Sequence, residues 1–489
     1  MAERSWLRLP ARFRTWIHDK LTVIDDQRKQ IKELESRLGQ NSTNSSRPPS
    51  TDVPWTAKSA KKQATKTRKP KSKRKPGGQP GHELHERPLV PPEEVDERQE
   101  LRPEQCESCE RHLPKRLPSV DEPRRHQIVE IPEITYSVSE YVQHGVVCPD
   151  CDTTTYARLP HGVSPSSFGP NLRAFIALLS GRYRTSRREV TELIHDVLGI
   201  SISVGAVDNT CRRMSEALQA PVKEVAARVK EAPVVHMDET GWRQKGKRMW
   251  LWVVATSYAV LFHIGTRCKG EAIDLLGPDF QGNLVSDRYA VYYQFEADRR
   301  QVCWAHLSRD FQGVVDRGGA GCRIGSEALA IKNELFRIWH RYKAGEIQRS
   351  TMERQMRPVE EAFGMLLEKG QRSRGKRTAA LCKSLSKLEL ALFLFARCDG
   401  VEPTNNAAEQ ALRPAVIWRK TCFGTQSKRG SEFVARMMTA TMTCRVQGRS
   451  LFQYLRSAVQ ARDHGDPAPS LLSEPPPENP VRAPKSSAA

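Results

Sequence analysis

The spacing of hydrophobic residues changes character several times along the chain, and each change marks a different kind of element. From Ile17 the apolar positions Leu21, Ile24, Ile31, Leu34 and Leu38 recur at helical spacing among charged residues. This predicts an amphipathic helix within residues 1–40. A dimerising coiled coil and packing on the same chain both fit, since Arg28 interrupts the seam. The run GQNSTNSSRPPSTD then ends all periodicity, because Asn, Ser and consecutive prolines favour turns. From Asn171 to Glu231 the period is helical again. Within that span SRREVTELIHDVLGISISVGAVDNTCRRM predicts a helix, a turn at Gly199 and a second helix from about Ser203. Such spacing suits a DNA-binding helix-turn-helix and equally an ordinary helical hairpin.

After Pro233 short β-branched and aromatic runs take over: VVHMDE, RMWLWVVATSYAVLFHIG, GNLVSDRY and RQVCWAH. They predict strands of a mixed α/β core. From Gly325 to Ala396 the pattern returns to helix, with Phe336, Trp339, Phe363 and Leu366 on apolar faces. Beyond Asp463 the Pro-rich end, through SEPPPENPVRAPKSSAA, offers too few apolar residues to fold.

Charge adds a partner to this outline. With 78 Lys+Arg against 57 Asp+Glu the chain carries a formal +21, which favours a polyanion, nucleic acid first. The longest apolar-leaning run, Met249 to Phe262, is too short to span a bilayer. No apolar secretory segment separates Arg4, Arg8 and Arg12. No membrane is therefore expected, and a cytoplasmic, nucleoid-associated protein is. The basic run from Lys58 to Lys75, densest at Lys69, Lys71, Lys73, Arg74 and Lys75, fits a phosphate-neutralising arm or a solvated tail.

Twelve cysteines in 489 residues are too few for a disulfide scaffold. Cys106 and Cys109 in CESC, with Cys148 and Cys151 in CPDC, instead supply the two C-x-x-C pairs that a structural Zn²⁺ needs. The chain between them would form the strands of an elongated zinc ribbon. Two unrelated reduced pairs are the alternative.

Three carboxylates carry the candidate chemistry. Asp238 follows the apolar stretch VVHM, and Asp287 repeats that layout after LVS. Strand-end aspartates of one sheet can converge where a cation neutralises them, although a single such aspartate more often serves a turn or a cap. Glu409 lies in PTNNAAEQALRP, expected as a short helix from Asn406 to Pro414. Its spacing from Asn406 also suits a capping box. Three hard oxygen ligands suit two Mg²⁺ or Mn²⁺ ions clamping a phosphodiester.

Together these blocks resemble the IS66 family of insertion-sequence transposases. The resemblance rests on QNSTNSSRPPSTD, GGQPGH, the cysteine knuckles, HMDETGWR, VSDRYAVY, CWAHLSRDF and NNAAEQALRP with WRKTCFGTQSKRGSEF, and it runs almost to Gln460. It implies a ribonuclease H-like catalytic domain of the DDE class, with Asp238, Asp287 and Glu409 as catalytic, metal-binding residues and a helical insertion before the last. It further implies transposon-end and target double-stranded DNA as partners, a dimer or larger synaptic complex, and small accessory proteins from the same element. A hydrolytic nuclease or resolvase and a catalytically silent DNA-binding protein are the rival readings. Arg288 and Gln410 depart from residues common in the family. His306, in CWAHLSRDF, is a neighbour of the site or a core histidine. Arg413, Trp418, Arg419, Lys420, Lys428 and Arg429 are candidates for contacting DNA.

The expected organisation is thus a helix within 1–40, a disordered basic linker over 41–95, a zinc ribbon over 96–162 and a helical DNA-binding region over 163–231. A ribonuclease H-like domain over 232–462, with its helical insertion at about 320–396, precedes a disordered tail over 463–489.

Overall fold

The computed structural model describes residues 20, 23–28, 30–31, 88–114, 117–121 and 123–472. The basic arm, most of the N-terminal helix and the tail from 473 lie outside the described residues. Residues 20, 23–28, 30 and 31 are helical, and Ile24 and Ile31 on that segment are exposed.

The chain divides into two units, residues 66–139 and the remainder. In the first, the described chain is largely extended, with a single 3₁₀ turn at Pro92–Glu94 and a tight loop around Cys106. In the other unit, the chain from residue 140 begins with a small hairpin of β1 (Gly145–Val147) and β2 (Thr154–Tyr156), paired antiparallel.

Four helices follow: α1 (Pro170–Gly181), α2 (Arg187–Leu198), α3 (Val204–Ala217) and α4 (Gln219–Lys230). Local chemistry sets their ends. Ser186 Oγ accepts from Glu189 N while Glu189 Oε2 accepts from Ser186 N, a complete capping box at the start of α2. Gly199 ends α2 at φ +65°, a left-handed turn that favours glycine. Ser203 caps α3 through Ala206 N.

The centre is a five-stranded mixed sheet in the order β5-β4-β3-β6-β7. Strands β3 (Val234–Gln244), β4 (Lys247–Ala255) and β5 (Val260–Gly265) form an antiparallel meander. The two-residue turn Lys245-Gly246, both at positive φ, matches the twist of a tight hairpin. Helix α5 (Lys269–Leu276) crosses over to β6 (Asn283–Ser286), which runs parallel to β3, and β7 (Arg300–Val302) runs parallel to β6.

Helix α6 (Trp304–Asp316) leaves β7, and α7 (Cys322–Lys343), α8 (Arg349–Gln371) and α9 (Lys376–Ser386) make the helical insertion. The chain returns through α10 (Asn406–Cys422), α11 (Lys428–Val446) and α12 (Leu451–His464). Pro414 does not end α10, which continues two turns beyond it; proline costs a helix one internal hydrogen bond, and the anchoring of the C-terminal half described below offsets that loss. The folded chain also passes Asp463. Arg173 of α1 forks onto that carboxylate, and Leu471 is fully buried.

Two apolar cores result. One joins α1–α4, the meander and α10–α12; the other joins β7, α6 and the insertion around Trp304, Phe363 and Phe393. On β6 successive side chains part, Leu284 to the first core and Val285 to the second, as the two-residue period of a strand requires.

Candidate active site

Asp238 lies within β3, not at its end: HMDETGWRQ is one uninterrupted strand, and Trp242 is buried beneath it. What ends near Asp238 is its neighbour. The parallel pairing of β3 with β6 stops at His236 opposite Val285. Asp238 and Asp287 each stand two residues further on, so they keep equal register and share a face. Asp287 Oδ1 accepts from Tyr289 N at 2.9 Å, and Asp238 Oδ1 from Glu239 N at 2.8 Å.

Glu409 comes from α10, whose line along β3 is fixed at both ends. At the start, buried Asn405 donates Nδ2 to Met237 O at 2.8 Å and sets Oδ1 3.2 Å from His236 Nδ1. Towards the end, Arg419 donates to Thr240 Oγ1 and Gly241 O, both at 2.9 Å, and Trp418 packs edge-on against Trp242. Gly424, at φ +117°, then lets Thr425 N donate to Arg243 O and Thr425 O accept from Lys245 N. The residue preceding α10 is Asn405, and no side-chain cap forms there. The Asn406–Glu409 capping box is therefore absent, and Glu409 is directed elsewhere.

Electrostatics ties the three acids together. Asp238 is held well above the usual aspartate range by loss of hydration, then by repulsion from Glu239, Asp287 and, more weakly, Glu409. Asp287 is raised by burial against the pull of Arg267, Arg300 and Arg288. Burial also raises Glu409; Arg309 and Arg413 oppose this and Asp287 adds to it. Each acid is half-buried, open to an ion from solvent yet poorly hydrated without one.

A second layer had no signal in the sequence. The Glu239 side chain, 1% exposed, accepts from Arg267 Nε and Nη2 at 3.0 and 2.7 Å and from Tyr292 Oη at 2.5 Å. The Arg267 guanidinium lies between the Trp250 and Tyr289 rings, 4.1 and 3.8 Å from their centroids. Arg300 is buried with Nε and Nη2 unpaired; burial lowers it to about 10, while Asp287 favours its charge. Arg288 pairs with Asp310 at 3.0 Å. Only long-range contacts give these residues their roles.

Beside Glu409 stand two side chains from the start of α6. Among the described residues, Cys303, His306 and Glu409 form the group in which three ligand-type atoms lie within 4.8 Å of one another. Burial takes His306 down to about 4, with Arg309 adding to the effect, and takes Cys303 up to about 11.

The DNA-contact candidates divide. Arg413, Lys420 and Lys428 are exposed, and Arg429 is exposed while paired with Asp208 of α3 at 2.9 Å. Trp418 is 8% exposed and presents no face to a base, because its ring fills the joint between α10 and β3; the hydrogen bonds of Arg419 brace the same joint. Lys69, Lys71, Lys73, Arg74 and Lys75 lie outside the described residues.

The two cysteine pairs occupy different units, yet each forms the same turn. Cys106 N donates to Arg111 O and Glu110 N to Cys106 O; Cys148 N donates to Thr153 O and Asp152 N to Cys148 O. Glu110 and Asp152 both take positive φ, 57° and 53°. Backbone N–H groups of Ser108 and Cys109 lower the Cys106 thiol, and chiefly the Thr153 hydroxyl lowers that of Cys151. Such polarisation suits thiolates that ligate a metal.

Comparison with known proteins places this geometry in context. A family model described as Transposase IS66 family matches residues 165–433, a span that holds all three acids. A second, described as a family of unknown function (DUF6444), matches residues 13–88. Two proteins of Sinorhizobium fredii are similar. The one called Uncharacterized protein y4hP is 25% identical over 376 residues, 68% of this chain and 66% of its own. Uncharacterized protein y4qI is 25% identical over 306 residues, 56% of each chain. The chain thus spans just under two thirds of one relative and just over half of the other.

Proposed function

The chain belongs to the IS66 family of transposases, and we propose that it binds the ends of an insertion sequence, cleaves a phosphodiester there and joins the freed 3′ hydroxyl to target DNA. Asp238, Asp287 and Glu409 are the catalytic residues of this reading. What supports it is that Asp238 and Asp287 stand at equal register along the paired strands β3 and β6, that Glu409 comes from a helix anchored along β3, and that each acid is shifted towards its protonated form, chiefly by loss of hydration. Among the described residues no helix is long and apolar enough to cross a membrane.

The donor set fits hard divalent cations. Glu409 Oε1 is buried without a hydrogen-bond partner, and three carboxylates that repel one another gain most from an ion bearing two positive charges. Asp238, Asp287 and Glu409 would hold Mg²⁺ or Mn²⁺, and two such ions would supply an activated oxygen nucleophile and stabilise the leaving oxygen. The protein's part is orientation. Arg267 pairs with Glu239 and Tyr292 donates to it, and together they fix the position of this fourth acid. Arg267 and, after it, Arg300 favour the charged form of Asp287. The mixed five-stranded sheet with helices packed on it supports the ribonuclease H-like reading. The paired cysteine turns support structural Zn²⁺, and the +21 charge supports a DNA partner. Assembly on two ends as a dimer or larger complex, aided by proteins from the same element, completes the proposal.

Incubating the full chain with labelled element-end DNA, a target plasmid and Mg²⁺ tests it. Joined product is expected, with loss of joining but retained end binding in Asp287→Asn. Nicking without joining would favour a hydrolytic nuclease, and binding without cleavage a silent DNA-binding protein.

A further inference from the structure

The cluster beside Glu409 has chemistry that hard-metal catalysis does not use. His306 Nδ1 stands 3.4 Å from Glu409 Oε1, beyond the range of a good N–H···O bond. Neither atom has a hydrogen-bond partner. Two facing polar atoms left unsatisfied in a protected place call for a third body between them. Ligands on a tetrahedral ion with bonds of about 2.0–2.3 Å lie about 3.3–3.8 Å apart, and the His306–Glu409 spacing falls within that range. The third corner is Cys303 Sγ. We propose that Cys303, His306 and Glu409 form a second, softer cation site that takes Zn²⁺ or a similar transition-metal ion and, when filled, withholds Glu409 from Asp238 and Asp287.

The backbone prepares this site. Cys303 is the residue just before α6 and His306 lies in its first turn, a C-x-x-H spacing that sets both ligands on one side of the helix start. Cys303 N donates to Ser286 O at 2.8 Å, and Cys303 Sγ accepts from Asn405 N at 3.2 Å. Asn405 in turn precedes the helix of Glu409, so the thiol and the carboxylate are fixed relative to each other. The ligand set of one sulfur, one imidazole nitrogen and one carboxylate oxygen favours Zn²⁺ over Mg²⁺. Binding would release the thiol proton to solvent, and the thiolate and carboxylate would together balance the ion's two charges. The cations nearby are Arg309 and Arg413, and the nearby anions that help are Asp238 and Asp287.

The proposal rests on Glu409 serving the proposed cleavage site, so its test has one arm that needs no cleavage. Co²⁺ titrated into the full chain should give a thiolate-to-cobalt absorption band. In Cys303→Ser, which keeps the side-chain volume and the bond from Asn405 N, the band should shrink by the share of one sulfur. The same loss should occur when Cys106→Ser/Cys109→Ser is the background, which separates this sulfur from the knuckles. Superimposable spectra of the parent and Cys303→Ser would overturn the proposal. In the second arm Zn²⁺ is added to the Mg²⁺-dependent cleavage reaction, each protein being scored against its own zinc-free rate. Cys303→Ser and His306→Ala should each need at least about tenfold more Zn²⁺ for half inhibition. Equal Zn²⁺ sensitivity in all three proteins would refute the withholding of Glu409. If no protein cleaves DNA, the function proposed above falls, while the Co²⁺ arm still decides the metal site.

Discussion

At the residue scale the acid cluster opposes folding in the absence of metal. Asp238, Asp287 and Glu409 each bind a proton more tightly in the folded chain than in the unfolded one, chiefly through lost hydration. A carboxyl group raised in this way contributes stability that is complete below its unfolded value and is lost as pH rises through its folded value. The metal-free protein should therefore lose stability as pH climbs from the ordinary carboxylate range through the raised values. Asp238→Asn, whose amide cannot ionise, should be more stable than the parent at pH 7 by about 0.5–2 kcal/mol, and the gain should vanish at pH 3. Urea unfolding in chelator at both values checks this; a variant less stable than its parent at pH 7 would contradict it. The two aspartates stood out in sequence because an apolar run followed by an acid occurs twice, although Asp238 lies inside β3 and not at its end. Glu409 was harder to place, since capping-box spacing offered an equal use for it, and only the fold shows Asn405 rather than Asn406 before α10. Trp418 misled for a related reason: an aromatic among Arg and Lys looks like a stacking surface, yet burial against Trp242 decides otherwise.

At the element scale the important relation is between α10 and β3. These segments lie more than 150 positions apart in the chain, and their alignment decides whether Glu409 meets Asp238. Gly424 holds the far end of that alignment. A Cβ there would come within 2.1 Å of Arg243 O, and the φ of +117° is itself unfavourable for other residues. Gly424→Ala should cost about 2–3 kcal/mol and lower cleavage at fixed Mg²⁺, although residue 424 belongs to neither proposed metal site. Denaturation midpoints and Mg²⁺ titrations of cleavage measure the two effects, and an unchanged midpoint would show that the loop docks without constraint. The helices before β3, the strands of the sheet and the helical insertion were legible from period, whereas α6, α11 and α12 were not read from it. The continuation of α10 through Pro414 was not, because it depends on the contacts of Trp418 and Arg419 with β3, and local propensity cannot register contacts at that separation.

At the scale of the whole molecule, charge and layering govern behaviour. Ten of the basic side chains fall between Lys58 and Lys75. If that arm lies on phosphates, deleting it should flatten the dependence of log affinity on log salt by up to about 9, with little change in preference for element ends. An unchanged salt slope would assign the arm to solubility alone. Layering acts differently. Strand β6 is four residues long, and it sends Leu284 into one core and Val285 into the other. Asp287 comes two residues after Val285, while Cys303 is hydrogen-bonded to the strand's last carbonyl. A shift of the core that holds the helical insertion would therefore be felt at Asp287 through these four residues, so packing changes around Val285 bear on that acid as directly as changes beside it.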